Sequence, residues 1–268
     1  MTEQVLMEEM SWAQVKEAID GGKNVVVFAC GAVEQHGPHL PTGTDAFLGT
    51  ATAERAARMA GNALVAPTIR PGLSQHHMHF PGSLSLRPET FLALLQDYCV
   101  SLACHGFRRI VLFPSHGGNV DMMKAHLPYI AHSLDGKAEV RLALRAAVDF
   151  ERAIKFAAEK GISAGRAGVH AGYLETSMML AYRSSTVTME RAEPGRHDEE
   201  FFLPENLQRS QMESFLYGVH QQSPNGILGD PTGANAEVGN IFLDMAATAL
   251  LRELAGQVQL AAAEESGR

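Results

Sequence analysis

One short loop concentrates the side chains most able to do chemistry. Gly31-Ala32-Val33-Glu34-Gln35-His36-Gly37-Pro38-His39-Leu40-Pro41-Thr42-Gly43-Thr44-Asp45 holds a glutamate, two histidines and an aspartate. Its prolines fix backbone angles and its glycines permit unusual ones, so the loop is shaped rather than slack. Glu34 and His36 are two positions apart and point the same way in an extended segment. Asp45 stands where a helix is predicted to begin. Carboxylates mixed with imidazole suit zinc, manganese or iron better than an all-thiolate site would. Glu34, His36 and Asp45 are therefore read as metal ligands.

Other polar clusters follow. His116-Gly117-Gly118-Asn119 comes directly after an apolar run. The paired glycines let backbone pass close to a bound group. Asn119 would orient a ligand or substrate, or cap the following helix. His170 and Glu175 flank the start of another predicted helix, where a carboxylate is also favoured by the helix dipole. His76, His77 and His79 crowd one loop as substrate contacts, a neighbouring subunit's contribution or a surface metal site, and no spacing decides among these. His77, His79, Asn119 and Tyr173 are the candidate substrate contacts; His39 is read as structural. No GxGxxG follows a strand, no Walker sequence occurs and no Gly-x-Ser-x-Gly elbow is present, which argues against nucleotide and serine-nucleophile chemistry.

The elements that must position these groups alternate. Apolar strands are predicted over Asn24–Cys30, Ala63–Ile69, Arg109–Phe113 and Glu139–Ala147. Helices are predicted over Ala46–Met59, Pro88 to about His105, Asp121–Leu134, Phe150–Lys160, Tyr173–Tyr182 and Ala234 to about Glu264. Arg183 to Ser223 reads as loops with one or two short elements. Such alternation predicts a three-layer α/β/α sandwich around a mostly parallel sheet, with residues 1–268 as a single domain. In such folds ligands bind beyond the carboxyl ends of strands, where Glu34, His36 and His116 all fall.

Bulk properties narrow the function. With 268 residues and 46% hydrophobic side chains, the chain can bury a real core. A net charge of −8 argues against nucleic acid as a partner. No run is long and apolar enough to span a membrane, and the N-terminus has no signal-peptide pattern. Cys30, Cys99 and Cys104 show no metal or disulfide spacing, which places the expectation on a cytoplasmic protein with reduced thiols.

The loop around Glu34 resembles the signature of the creatininase family. Phe80-Pro81-Gly82-Ser83-Leu84-Ser85-Leu86, His116-Gly117-Gly118-Asn119, His170-Ala171-Gly172-Tyr173-Leu174-Glu175-Thr176-Ser177 and Gly229-Asp230-Pro231 extend the resemblance in order along most of the chain. The resemblance implies two divalent ions per subunit, zinc foremost with manganese or iron as alternatives. It implies that Asp45 bridges them, that Glu34 and His116 hold one, and that His36 holds the other. Creatininase proper has a metal-binding glutamate two residues after this histidine, where this chain has Gly118; Glu175 is expected to replace it. His170 is expected to donate a proton to the leaving nitrogen. The implied activity is hydrolysis of a non-peptide C–N bond in a small molecule, of the cyclic amide or lactam type. Alternatives are a formamide deformylase or a peptide-trimming enzyme, or a metal-binding scaffold without catalysis. The family's creatinine enzymes place tryptophans around the substrate, and here the only one is Trp12. A homo-oligomer, hexamers being common, is also implied.

Overall fold

The computed structural model describes residues 3–144 and 150–255. At its centre lies Val25–Cys30 (β1), buried along its whole length. It pairs in parallel with Ala63–Val65 (β2) on one side and Arg109–Pro114 (β3) on the other, and β3 pairs in parallel with Glu139–Leu142 (β4). The order is β2-β1-β3-β4. Parallel neighbours need long crossovers, which helices supply. In chain order the helices are Trp12–Asp20 (α1), Thr44–Ala60 (α2), Pro88–Cys104 (α3), Val120–Ser133 (α4), Phe150–Glu159 (α5), Ala164–Ala167 (α6), Tyr173–Arg183 (α7), Pro204–Tyr217 (α8) and Ala236–Leu254 (α9).

Alternation along the strands sends their side chains to two separate cores. Val26, Phe28, Cys30, Ile110 and Leu112 pack with Phe91 and Leu95 of α3 and with Met123 and Ile130 of α4. Val25, Val27, Ala29, Val111 and Phe113 pack with the alanines of α2 and with Ala247, Leu250 and Leu254 of α9. This is the expected three-layer sandwich, with every described strand pair parallel.

Several boundaries differ from expectation. β2 stops at Val65 because Pro67 has no N–H to offer a ladder, although Ile69 still bridges to Cys30. The described part of the fourth strand ends at Leu142, and residues 145–147 of the expectation lie outside the described residues, as do 256–264 of the last helix. The larger correction is α8, a 14-residue helix in a segment read as loops with one or two short elements. Its sequence is mostly polar with few apolar positions, so hydrophobic periodicity gave it little signal. Pro204 opens its first turn, a position that costs no hydrogen bond.

Helix α7, which carries Glu175, lies against α9 at Gly239. A Cβ on Gly239 would collide with the Ser177 carbonyl oxygen of α7. Gly239→Ala is expected to destabilise the fold by roughly 1–3 kcal/mol through overpacking, seen as a lower urea midpoint; an unchanged midpoint would contradict this close packing.

Candidate metal centre and active-site cavity

The strand order reverses between β1 and β3, and the segments leaving their C-terminal ends diverge to open a crevice there. Glu34 and His36 follow β1, Asp45 sits in the first turn of α2, and His116 follows β3. Glu175 arrives from the first turn of α7 and His170 from just before it. All six meet. The three-ligand groups among them are Glu34–Asp45–His116 and His36–Asp45–Glu175, which share Asp45, and Glu34–His36–His170.

Hydrogen bonds to backbone carbonyls settle which imidazole nitrogens are bare. His116 Nε2 lies 3.1 Å from the Leu73 carbonyl oxygen, which only accepts, so Nε2 carries the proton. In the neutral ring, the form that binds a metal, Nδ1 is then the lone pair, and it faces Glu34 Oε1 at 3.3 Å and Asp45 Oδ2 at 3.2 Å. His36 repeats the device: Nδ1 lies 3.1 Å from the Glu34 carbonyl oxygen. Its Nε2 then faces Asp45 Oδ1 at 3.2 Å and Glu175 Oε2 at 3.8 Å. A ligating histidine characteristically anchors its other nitrogen this way. Each group thus sets three acceptors against one another, which a cation relieves. Both Glu34 carboxylate oxygens and Asp45 Oδ2 are buried without a hydrogen-bond partner, an arrangement that is costly unless a cation satisfies it. The donor set fits divalent zinc, manganese or iron.

His170 differs. Its Nε2 lies 2.8 Å from the Gln35 carbonyl oxygen, leaving Nδ1 bare and 3.8 Å from Glu34 Oε1. Ala171, beside it, adopts a left-handed φ of 53° and donates its N–H to Glu175. A non-glycine residue in that region costs on the order of 1 kcal/mol, and here it turns His170 and Glu175 toward the same space.

That space is a cavity of ≈ 410 Å³. Its floor includes Glu34, Asp45, His116, His170 and Glu175, together with His76 and His77; its walls include Phe201, Leu207, Phe215 and Phe242. Of the four expected substrate contacts, only His77 lines it. His79 is exposed and stacks on His220, with ring centroids 3.9 Å apart. The Asn119 amide is committed to backbone, accepting from Leu73 N and donating to the Cys30 and Gly31 carbonyls. Tyr173 Oη accepts from Asn235 Nδ2 at 3.0 Å. These three groups have structural partners, so their sequence positions near the motifs misled. His39 is buried with Nε2 2.9 Å from Thr176 Oγ1, the structural role expected of it. Gln35 and the α8 side chains were not singled out, and His76 was named only as part of the histidine-dense loop, not among the candidate substrate contacts.

Comparison with known proteins bears on the same residues. The family profile "Creatininase: Creatinine amidohydrolase" matches residues 8–254. The chain belongs to the creatininase family. It is 35% identical over 232 residues to a mycofactocin precursor peptide peptidase from Mycobacterium ulcerans (strain Agy99), covering 82% of this chain and 80% of the relative. It is 31% identical over 206 residues to a creatinine amidohydrolase from Pseudomonas putida, covering 71% and 76%. A solved structure named "Creatininase Mn" superposes with a TM-score of 0.74 at 27% identity, over 93% of this chain and 97% of that one. Members of the creatininase family are hydrolases, and so is this chain.

Within the creatininase fold, Gly118 marks this chain's departure. A side chain there would place its Cβ 2.5 Å from the Leu73 carbonyl oxygen and against His116 Nε2. The local backbone therefore admits only glycine, and Glu175 supplies the third carboxylate of the cluster from another element. Trp12 is 81% exposed on α1 and contributes nothing to the cavity.

Without a cation, protons must take its place. Burial alone would depress His36, but Asp45, Glu175 and Glu34 around it push it up to about 10. Burial raises Glu175 to about 7, against the pull of His36. Burial, then a charged His36, holds His170 well below the imidazole range. Both raised groups bind protons more tightly when folded. Their contribution is complete below the unfolded values and is lost as pH rises, through about 7 for Glu175 and about 10 for His36. Burial holds His39, His76, His77 and His170 low, which opposes this below the ordinary imidazole range, so chelator-treated protein is expected to lose thermal stability between about pH 7 and 10. A saturating divalent ion should flatten that decline, because binding releases the same protons. Equal slopes with and without the ion, followed by thermal melts, would contradict this.

Proposed function

We propose that this chain is a metal-dependent amidohydrolase, a single domain over residues 1–268, cleaving the C–N bond of a cyclic amide of the lactam type. The observation that carries the reading is the pair of three-ligand groups sharing Asp45 beside the cavity. Glu34, Asp45 and His116 would hold one divalent ion, and His36, Asp45 and Glu175 a second, zinc foremost with manganese or iron as alternatives. Bound there, such ions lower the pKa of water and polarise a carbonyl.

The chain's own residues do the rest. His170 presents a bare Nδ1 toward the cavity while its Nε2–H is held by the Gln35 carbonyl. Nδ1 takes the proton that leaves the attacking water and returns it to the departing nitrogen, so one imidazole serves as base and then acid. The phenylalanine and leucine walls lower the dielectric beside the floor, which strengthens the charge interactions there.

A second reading within the family is trimming of a peptide. It is favoured by the named activity of the mycobacterial relative. The reading also includes a cytoplasmic setting and a homo-oligomer, up to a hexamer. Among the described residues no helix is long and apolar enough to cross a membrane, and Cys30, Cys99 and Cys104 are free. Exposed Met212, Leu216 and Tyr217 on α8 offer apolar surface for self-association.

Purified protein should be assayed for metal content and for turnover of lactams and cyclic amides, formamides and short peptides. Asp45→Ala is expected to lose both ions together, and Glu175→Gln about one of the two. His170→Ala should keep its metal and lose roughly 10²- to 10⁴-fold in kcat. Turnover of peptides alone selects the second reading. Normal metal with no turnover of any class would overturn both.

A further inference from the structure

Gln35 lies between two of the proposed metal ligands, and its side chain is buried at the meeting point of four backbone or imidazole groups. Its orientation is set by the backbone. Oε1 lies 2.9 Å from the Gly37 N–H, and Nε2 lies 3.0 Å from the Gly226 carbonyl oxygen. Flipping the amide would set donor against donor at Gly37 and acceptor against acceptor at Gly226. The nitrogen is therefore where it is drawn.

That nitrogen has two protons and three neighbours, since His77 Nδ1 and His170 Nε2 each also lie 2.9 Å away. His170 Nε2 is at the same time 2.8 Å from the Gln35 carbonyl oxygen. A carbonyl only accepts, so His170 Nε2 carries a proton and cannot accept from the amide. The two amide protons go to the Gly226 oxygen and to His77 Nδ1. His77 Nδ1 is then a lone pair, and its proton sits on Nε2, which faces Glu34 Oε1 at 3.3 Å.

We infer that Gln35 is a positioning residue that keeps the His77 proton on Nε2, facing Glu34 Oε1 at 3.3 Å in a charge–dipole contact short of a hydrogen bond, which steadies that carboxylate and keeps His77 out of the metal shell. The group Glu34–His76–His77 has the spacing of a third ion site. The tautomer makes it a brace instead, because a nitrogen that carries a proton offers no lone pair. The backbone carbonyl of the same residue keeps the proton on His170 Nε2, which leaves His170 Nδ1 as the bare nitrogen over the floor.

The tautomer is independent of the proposed reaction; the effect on metal affinity rests on it. Long-range ¹H–¹⁵N correlation spectra of ¹⁵N-histidine-labelled, zinc-loaded protein distinguish Nδ1–H from Nε2–H rings, and His77→Gln identifies the His77 signals by their loss. The wild-type spectrum is expected to show His77 with a bare Nδ1 and a protonated Nε2. Gln35→Glu replaces the donor with an acceptor and should move the His77 proton to Nδ1. Gln35→Met keeps the shape without a donor and should leave His77 in mixed tautomers. In both variants zinc affinity should weaken by about 10- to 100-fold, the cost typical of losing a group that orients a ligand. A wild-type His77 protonated on Nδ1, or a His77 signal and zinc affinity unmoved in Gln35→Glu, would overturn the proposal. The wild-type spectrum decides the matter even where a variant fails to fold. An inactive enzyme with the expected tautomers would count against the amidohydrolase reading alone.

Discussion

Five buried side chains and the partly exposed Glu175 face one another with lone pairs and negative charge. Carbonyls of Leu73 and Glu34 take the protons of neutral His116 and His36, so in that form their second nitrogens have none to give. Glu34, Asp45 and Glu175 add carboxylates to the same small volume. Such a cluster is stable only if something positive enters it, either protons on the imidazoles or divalent ions. The parallel sheet with its reversal between β1 and β3, the α2 start that delivers Asp45, and the α7 packing that delivers Glu175 all serve to build and hold this confrontation.

The fold was legible because its signals are local. The run Val25–Cys30 is apolar on both faces, as a central parallel strand must be, and turn chemistry bounds the helices that follow it. The ligand loop was legible because carboxylate and imidazole types stand close in sequence and their strand is plain. Joining it to His116 needed only the rule that parallel strands open at their carboxyl ends.

Other parts were less so. Glu175 joins Asp45 and His36 across about half the chain, a proximity that follows from α7 lying on α9 and α2 and leaves no trace in spacing. Asn119 and Tyr173 sit inside the strongest motifs, yet their polar atoms are spent on Leu73, Cys30, Gly31 and Asn235. Helix α8 went unseen because most of its side chains are polar, while the few that are not, such as Leu207 and Phe215, wall the cavity. Gln35 has no titratable group to draw attention, and its meaning arises only from where its two amide protons can go.

The central claim is that Asp45 is shared by two cations. Anomalous diffraction from crystals grown with zinc or manganese, collected at that metal's absorption edge, tests it most directly. The account predicts two peaks, each about 2.0–2.2 Å from an Asp45 oxygen, one also beside Glu34 and His116 and the other beside His36 and Glu175. A single peak away from Asp45, or no peak at this cluster, would contradict it.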